Sequence, residues 1–124
     1  MPDAARHREQ CERNAKAYET LGGEQASFFE WPITTLFYIA VHVAEEHFAR
    51  SATPLHSVGH KQRYQWLAQK APVAAHKFKV LYDASRTARY DCAFGKFSES
   101  DVLRLRDLAA KEVPRALGVD VIKL

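Results

Sequence analysis

The stretch WPITTLFYIAVHVAEEHFAR, residues 31–50, decides the fold of this chain. Pro32 suits the first turn of a helix, and Glu30, just before the stretch, is favoured at the positive end of the helix dipole. Residues 33–43 are apolar over most of the helix circumference. A helix that is apolar on nearly every side is buried by its neighbours, so the pattern predicts a central helix over about residues 31–50.

Helical periodicity continues on both sides of this stretch, and no strand pattern is present. Further helices are predicted from Asp3 to Leu21, over residues 60–69 and 72–90, and after a capping serine at position 98 or 100. A chain of 124 residues with 47% hydrophobic side chains is long enough for one core. The predicted fold class is all-α: an up-and-down bundle of four to five helices, forming a single domain over residues 1–124.

Cysteine usage and hydropathy favour a cytoplasmic protein. Cys11 and Cys92 are far apart in sequence and lack metal-ligand spacing, which is typical of free thiols in a reducing compartment. The N-terminal residues lack the apolar core of a signal peptide. The most apolar window, residues 31–44, contains His42 and two threonines and is too short to span a bilayer, so no membrane segment is expected.

The net charge of +3 hides an uneven distribution along the chain. Residues 50–96 contain nine Lys or Arg against two Asp, a balance of +7, and the rest of the chain carries −4. Clustered cations supply the sequence-independent phosphate contacts of nucleic-acid binding, which favours a polyanion such as RNA as partner. Because no run of five like charges is present, a solvated helical surface is the alternative.

A second informative stretch, LYDASRTARYD at residues 81–91, interrupts an apolar pattern with polar side chains at helical spacing. Unpaired buried polar groups cost about 1–3 kcal/mol each, so this face either finds hydrogen-bond partners or contacts a ligand. We expect Arg89 and Tyr82 to be at least half buried and hydrogen-bonded to the second helix or to the loop over residues 51–60.

Tyr38, His42 and Glu46 recur one turn apart on the second helix. This stripe, facing Arg89 across the bundle, would either hold a phosphate or base or form a self-satisfied buried network. We favour the network, because fully paired polar networks fix a single packing. The candidate ligand-binding residues are Tyr38, His42, His60, Arg63, Tyr82, Arg86, Arg89 and Tyr90, of which the third-helix pair, His60 and Arg63, is expected to be exposed.

Three motifs occur in this chain in an order and spacing that resembles HEPN domains, the small helical bundles of higher eukaryotes and prokaryotes. They are WPITTLFYIAVHVAEEHFA, a following loop with HSVGHKQR, and YDASRTARYD. HEPN domains show an aromatic and Ala-rich second helix ending in acidic residues, a loop histidine, and an Arg-Tyr pair closing the long fourth helix. Those places are taken here by Phe37 and Tyr38, Glu45 and Glu46, His56 or His60, and Arg89 with Tyr90. The resemblance covers roughly residues 5–117.

The resemblance implies a module associated with nucleotides or RNA, acting as a partner subunit in a toxin–antitoxin or defence-type system beside a nucleotidyltransferase-type protein. A nuclease branch of the family is metal-independent and carries an Arg, four to six residues and then a His. In that branch the cation stabilises the pentavalent phosphate and the imidazole moves the proton of the 2′-hydroxyl. Arg50 and His56 match that spacing but lie outside the C-terminal half where the family places its motif.

We therefore expect a non-catalytic module. The alternatives are a metal-independent ribonuclease with a site at a dimer cleft, assembled from His42, His60, Arg63 and Arg89, and a purely structural interaction protein. The weak candidates for catalysis are His42, His56, His60 and Arg50.

No cofactor and no metal site are expected. No Glu has a His three residues later, and His42 and His47 diverge by about 140° around their helix. Cys11 has His7 four residues earlier on a helix expected at the surface, a pairing that chance supplies often. No glycine-rich phosphate loop is present.

Aromatic side chains flank the predicted helices and indicate self-association. They are Phe28, Phe29, Trp31, Phe94 and Phe97. A chain of 124 residues has little core left to bury all of them, so some should be exposed. Because aromatic residues are enriched at interfaces, the expected assembly is a two-fold homodimer.

Overall fold

A computed structural model describes residues 2–92 and 94–124, and within them the chain is an all-α bundle without strands. The helices are α1 (Ala4–Thr20), α2 (Glu30–Ala49), α3 (His60–Lys70), α4 (Pro72–Tyr90), α5 (Glu99–Asp107) and α6 (Val113–Leu117). A 3₁₀ turn (Gly23–Gln25) follows α1, and a π turn (Leu108–Glu112) joins α5 to α6. The predicted all-α bundle is confirmed. In the described ranges, no helix has the length and apolarity needed to cross a membrane.

Local chemistry sets the helix ends close to the predicted positions. The Asp3 side chain accepts the Arg6 N–H over 2.9 Å and caps α1. Pro72 occupies the first turn of α4, where its missing N–H costs nothing. Of the two serines predicted to cap α5, Ser98 does so: it exchanges hydrogen bonds with Asp101 in a capping box.

The central position of α2 follows from its nearly uniform apolar surface. α1 packs along one side of α2, α4 packs along another, and α5, the π turn and α6 also contact it. The buried apolar side chains of α2 are Ile33, Leu36, Phe37, Ile39, Ala40, Val41, Val43, Ala44 and Phe48. Leu21 and Val73 are exposed because they lie at helix ends. On α3, Leu67 is buried and Tyr64 is exposed.

The π turn and the proline after it redirect a backbone carbonyl. Val113 N–H donates to Leu108 O, five residues back, instead of four. In an uninterrupted α-helix the N–H of residue 114 would donate to Ala110 O, but Pro114 has no N–H. The Ala110 carbonyl accepts the N–H of Ile122 over 2.8 Å instead, which ties residues 118–124 back onto the bundle.

Candidate functional site

Polar side chains meet in the interior where α1, α2 and the start of α3 approach one another. We call this set the buried polar cluster; its members are His7, His42, Glu45, His56, Ser57, His60 and Arg63. Glu45 lies at its centre with only 2% of its surface exposed. A carboxylate is seldom buried unless it is paired, so the partners of Glu45 define the cluster.

Both carboxylate oxygens of Glu45 have neighbours, but they are held differently. Arg63 Nε donates to Oε1 over 2.9 Å, and the Ser57 hydroxyl donates to the same oxygen. The Ser57 N–H donates to Oε2 over 3.4 Å, and His56 Nδ1 lies 3.6 Å from Oε2. Oε1 therefore carries the strong ion pair, and Oε2 has only long contacts.

The surroundings of three imidazoles of the cluster favour their neutral form. Nδ1 of His7 and Nδ1 of His42 lie 3.0 Å apart, so one donates to the other, and Arg63 Nη1 donates to His60 Nδ1 over 2.7 Å. Burial lowers the pKa of His7, and it lowers the pKa of His42 to about 4, with the neighbouring His7 and Arg63 as further causes. Burial, Arg63 and Arg89 also lower the pKa of His60.

One nitrogen of His7 is buried without a hydrogen bond. His7 is 3% exposed, and among residues 2–92 and 94–124 its Nε2 has no hydrogen-bond partner. One ligand atom from each of His7, Glu45 and His56 lies within 4.8 Å of those from the other two. A buried polar atom without a partner costs about 1–3 kcal/mol of folding free energy, so the stability of the fold does not explain the position of this nitrogen.

The neighbouring Glu46 belongs to a separate ion-pair network. Arg8 Nη2 lies 2.6 Å from Glu46 Oε1, and Arg50 Nε donates to Oε2 over 2.9 Å. The spacing match of Arg50 with His56 does not bring them together as a pair, because His56 faces Glu45 instead. The prediction that the stripe of Tyr38, His42 and Glu46 faces Arg89 is also wrong. His42 faces His7, and Glu46 faces Arg8, both on α1.

A groove of about 260 Å³ runs between α3 and α4, and its lining is aromatic with a basic rim. Its walls are His60, Lys61, Tyr64, Phe78, Lys79 and Tyr82. We call this surface, together with Arg86, Arg89 and Tyr90, the α3–α4 face. Phe37 of α2 lies beneath it, with its ring centroid 5.2 Å from that of His60 and 5.5 Å from that of Tyr82.

Arg86 is held between two tyrosine rings on this face. Its Nη1 donates to Tyr82 Oη over 3.2 Å, and its Cζ lies 5.9 Å from the Tyr82 ring centroid and 5.8 Å from that of Tyr90. Arg89 Cζ lies 5.0 Å from the Tyr90 centroid. These cation–π contacts orient the exposed Arg86 and the partly buried Arg89 beside aromatic faces without neutralising them.

The predictions for Arg89, Tyr82 and Arg63 are corrected in part. Arg89 and Tyr82 are more than half buried, as expected. Their hydrogen bonds, however, stay on α4: Arg89 Nε donates to Ser85 O over 3.3 Å, and Tyr82 Oη accepts from Arg86. Arg63, expected to be exposed, is 8% exposed because Glu45 neutralises it in the interior.

Intramolecular pairing divides the nine cations of residues 50–96 into two groups. Arg50, Arg63, Lys77 and Lys79 pair with carboxylates. Within the described ranges the other five form no salt bridge: Lys61, Lys70, Arg86, Arg89 and Lys96. Because four of these five lie on α3 and α4, the uncompensated positive charge of this segment is concentrated there.

Exposed aromatic side chains form a second surface, which we call the aromatic patch. Phe28, Trp31 and Phe94 are exposed by 77%, 63% and 80%, as expected for at least some of the flanking aromatics. Phe28 and Phe94 line a shallow groove of about 310 Å³ together with Ser27, Phe29, Glu30, Ala88, Gly95 and Phe97. Phe28 and Phe94 therefore share one groove, and Trp31 adds a further exposed ring next to its lining residue Glu30 in the sequence.

The thiol of Cys11 is not a nucleophile. Cys11 lies on the apolar side of α1 and is completely buried, and its Sγ donates to Ile39 O over 3.6 Å. Burial raises the pKa of this thiol to about 12, which leaves it protonated at neutral pH.

Sequence reasoning missed three members of the buried polar cluster as site residues: His7, Glu45 and Ser57. They come from α1, α2 and the loop before α3, so no short motif contains them. The available signal was the acidic pair at positions 45 and 46, which lies between the buried Val41 and the buried Phe48. Two adjacent carboxylates inside such an apolar helix need partners from other elements.

Comparison with known proteins assigns no family to this chain. The resemblance to HEPN domains therefore stays a prediction that is based on the motifs of α2, the loop and α4. No protein-family model matches the chain, and no curated protein or solved structure matches it either.

Proposed function

We propose that this chain is a HEPN-like binding module that associates with single-stranded RNA or nucleotides and does not itself catalyse a reaction. The observation that carries the proposal is the α3–α4 face, where an aromatic groove lies beside Lys61 and Arg86, which form no salt bridge within the described ranges. The HEPN resemblance of the same segments gives independent support.

The chemistry of this face fits a nucleotide. Every base presents a π face, and stacking on an aromatic side chain contributes about 1–3 kcal/mol per base regardless of sequence. Tyr64 and Tyr82 offer such faces in the groove, and Lys61 and Arg86 lie where a following phosphate would be neutralised. The groove volume of about 260 Å³ suits a single base better than a folded partner.

The absence of a catalytic role is supported by the pairing of the candidate residues. Arg63 is bound to Glu45 and donates to His60, so neither its charge nor His60 Nδ1 is free for a phosphate or a 2′-hydroxyl. Arg50 and His56 pair with different glutamates. A cation that stabilises a pentavalent phosphate must instead be directed at the developing charge.

Binding of a short labelled single-stranded RNA, followed by fluorescence anisotropy in the presence of chelator, tests the proposal. We expect saturable binding whose logarithmic affinity falls with the logarithm of salt concentration with a slope of about −2, as three phosphate contacts would give. Replacing Arg86 with Gln should weaken binding and reduce that slope by about 0.7.

The matched control is Arg115→Gln, which removes the same charge from an exposed position on α6. Equal loss of affinity in both variants, or no binding at low salt, would contradict the proposal. The same samples separate the ribonuclease alternative, because the RNA should be recovered intact. Cleavage that persists with chelator and disappears in His60→Ala would favour the nuclease.

We also propose that the chain forms a homodimer through the aromatic patch. Exposing large aromatic side chains side by side is unfavourable in water, and such patches mark interfaces. Light scattering at high micromolar concentration should give twice the monomer mass, and Phe28→Glu with Trp31→Glu should give the monomer. Val58→Glu, at an exposed apolar position away from the patch, should leave the dimer intact. A monomeric wild-type chain would contradict the proposal.

The cytoplasm is the proposed location, because both cysteines are free thiols. There the module would serve a toxin–antitoxin or defence-type system as the subunit that contacts RNA or a nucleotide. The resemblance-based partner is a nucleotidyltransferase-type protein, and the aromatic patch is the surface on which a heterologous partner would displace the second copy.

A further inference from the structure

We propose that His7, Glu45 and His56 form a binding site for a divalent transition-metal ion of the Zn²⁺ type. The three residues come from α1, α2 and the loop before α3, and one ligand atom of each lies within 4.8 Å of the others. Two imidazoles and a carboxylate are a ligand set that Zn²⁺ accepts in sites with an open fourth position. With bonds of about 2.0–2.1 Å, the ligand atoms need to close in by only about 1 Å.

The buried nitrogen of His7 is the observation that points to a ligand. Nδ1 of His7 is engaged with His42, whereas Nε2 is buried and has no partner within residues 2–92 and 94–124. If His7 Nδ1–H donates to His42, Nε2 carries the lone pair that a metal binds. In that tautomer, the His42 ring is the outer partner that holds His7 in position for ligation.

Glu45 is held in a way that leaves one oxygen for a metal. Arg63 and the Ser57 hydroxyl bind Oε1, so the carboxylate is oriented by partners behind it. Oε2 has only a long N–H contact and faces His56 Nδ1 at 3.6 Å. Glu45 and His7 therefore each have an outer partner that fixes their direction, as ligands of natural metal sites do.

The proposed site lies close to the solvent. A cleft of about 310 Å³ opens beside α1, and His7 and His42 lie on its wall. The side chain of His56 is 31% exposed, so the proposed ligands reach from the interior to the surface. The fourth coordination position would take water or a small anion from this side.

Isothermal titration of the chelator-treated, dialysed protein with Zn²⁺ tests the site, and Co²⁺ absorption reports its geometry. We expect one ion per chain and tetrahedral Co²⁺ bands. His56→Ala should weaken Zn²⁺ binding by more than about 100-fold, and His42→Ala, which removes only the outer partner of His7, by about 10–100-fold. His76→Ala, at an exposed histidine of α4, should bind as the wild type does.

Circular dichroism of His56→Ala should show a retained fold, since this side chain is partly exposed and removable without opening the core. The proposal is overturned by a wild-type protein that binds no Zn²⁺, or by equal affinities of His56→Ala and His76→Ala. It does not depend on RNA binding, because neither the α3–α4 groove nor Arg86 takes part.

Discussion

Replacing Glu45 with Ala should destabilise the protein by about 3–5 kcal/mol, because it leaves the buried guanidinium of Arg63 without its counter-charge. Ser57 would also lose the acceptor for its hydroxyl and its N–H. Glu45→Gln keeps the shape and one acceptor oxygen, so it should cost less than Glu45→Ala. Urea denaturation followed by circular dichroism measures the difference in the free energy of unfolding.

Two further variants make this result specific to the ion pair. Glu19→Ala removes an exposed carboxylate of α1 and should change stability by less than about 0.5 kcal/mol. Combining Glu45→Ala with Arg63→Met should cost less than the sum of the two single changes, because no buried charge is then left unpaired. A loss below about 1 kcal/mol for Glu45→Ala would show that the cluster is solvated rather than buried.

Phe37→Ala should cost about 3–5 kcal/mol and also disable the α3–α4 face. Phe37 is completely buried, and its ring contacts Phe78 as well as His60 and Tyr82, with centroids 5.5 Å apart for Phe78. Removing it leaves a cavity beneath the groove, so thermal melting should show the loss of stability and anisotropy should show a loss of RNA affinity.

Phe28→Ala is the matched control for this variant, because Phe28 is an exposed phenylalanine outside the core. Its stability should change by less than about 0.5 kcal/mol in the monomer. A variant Phe37→Leu should keep most of the stability, because leucine fills much of the cavity. Wild-type RNA affinity in a folded Phe37→Ala protein would show that the groove does not depend on this ring.

The fold was predictable because its signals are local. The apolar circumference of α2, the cap at Asp3 and the proline at position 72 each act within a few residues, and each has its predicted effect. The π turn at residues 108–112 was not predicted, since Leu105, Leu108, Ala109 and Val113 have the spacing that an uninterrupted α-helix would also show.

The site was less predictable because its residues are joined by tertiary contacts. Arg63 reads as a surface cation at the start of α3, and only the position of Glu45 across the interface makes it a buried one. His7 is one of several polar residues on α1 until its ring meets His42. Aromatic exposure was easier to predict, because a small core leaves no room for Phe28, Trp31 and Phe94.

Pro114 affects which positions near the C-terminal end of the bundle tolerate substitution. Because it gives up a hydrogen bond within the helix, the Ala110 carbonyl becomes the anchor of the Ile122 N–H, and Arg8 adds a second anchor through Asp120 O over 2.8 Å. Both anchors hold main-chain atoms, so the side chains at positions 120, 121 and 123 are free to vary. The path of residues 118–124, in contrast, depends on Pro114, which lies several residues earlier in the sequence.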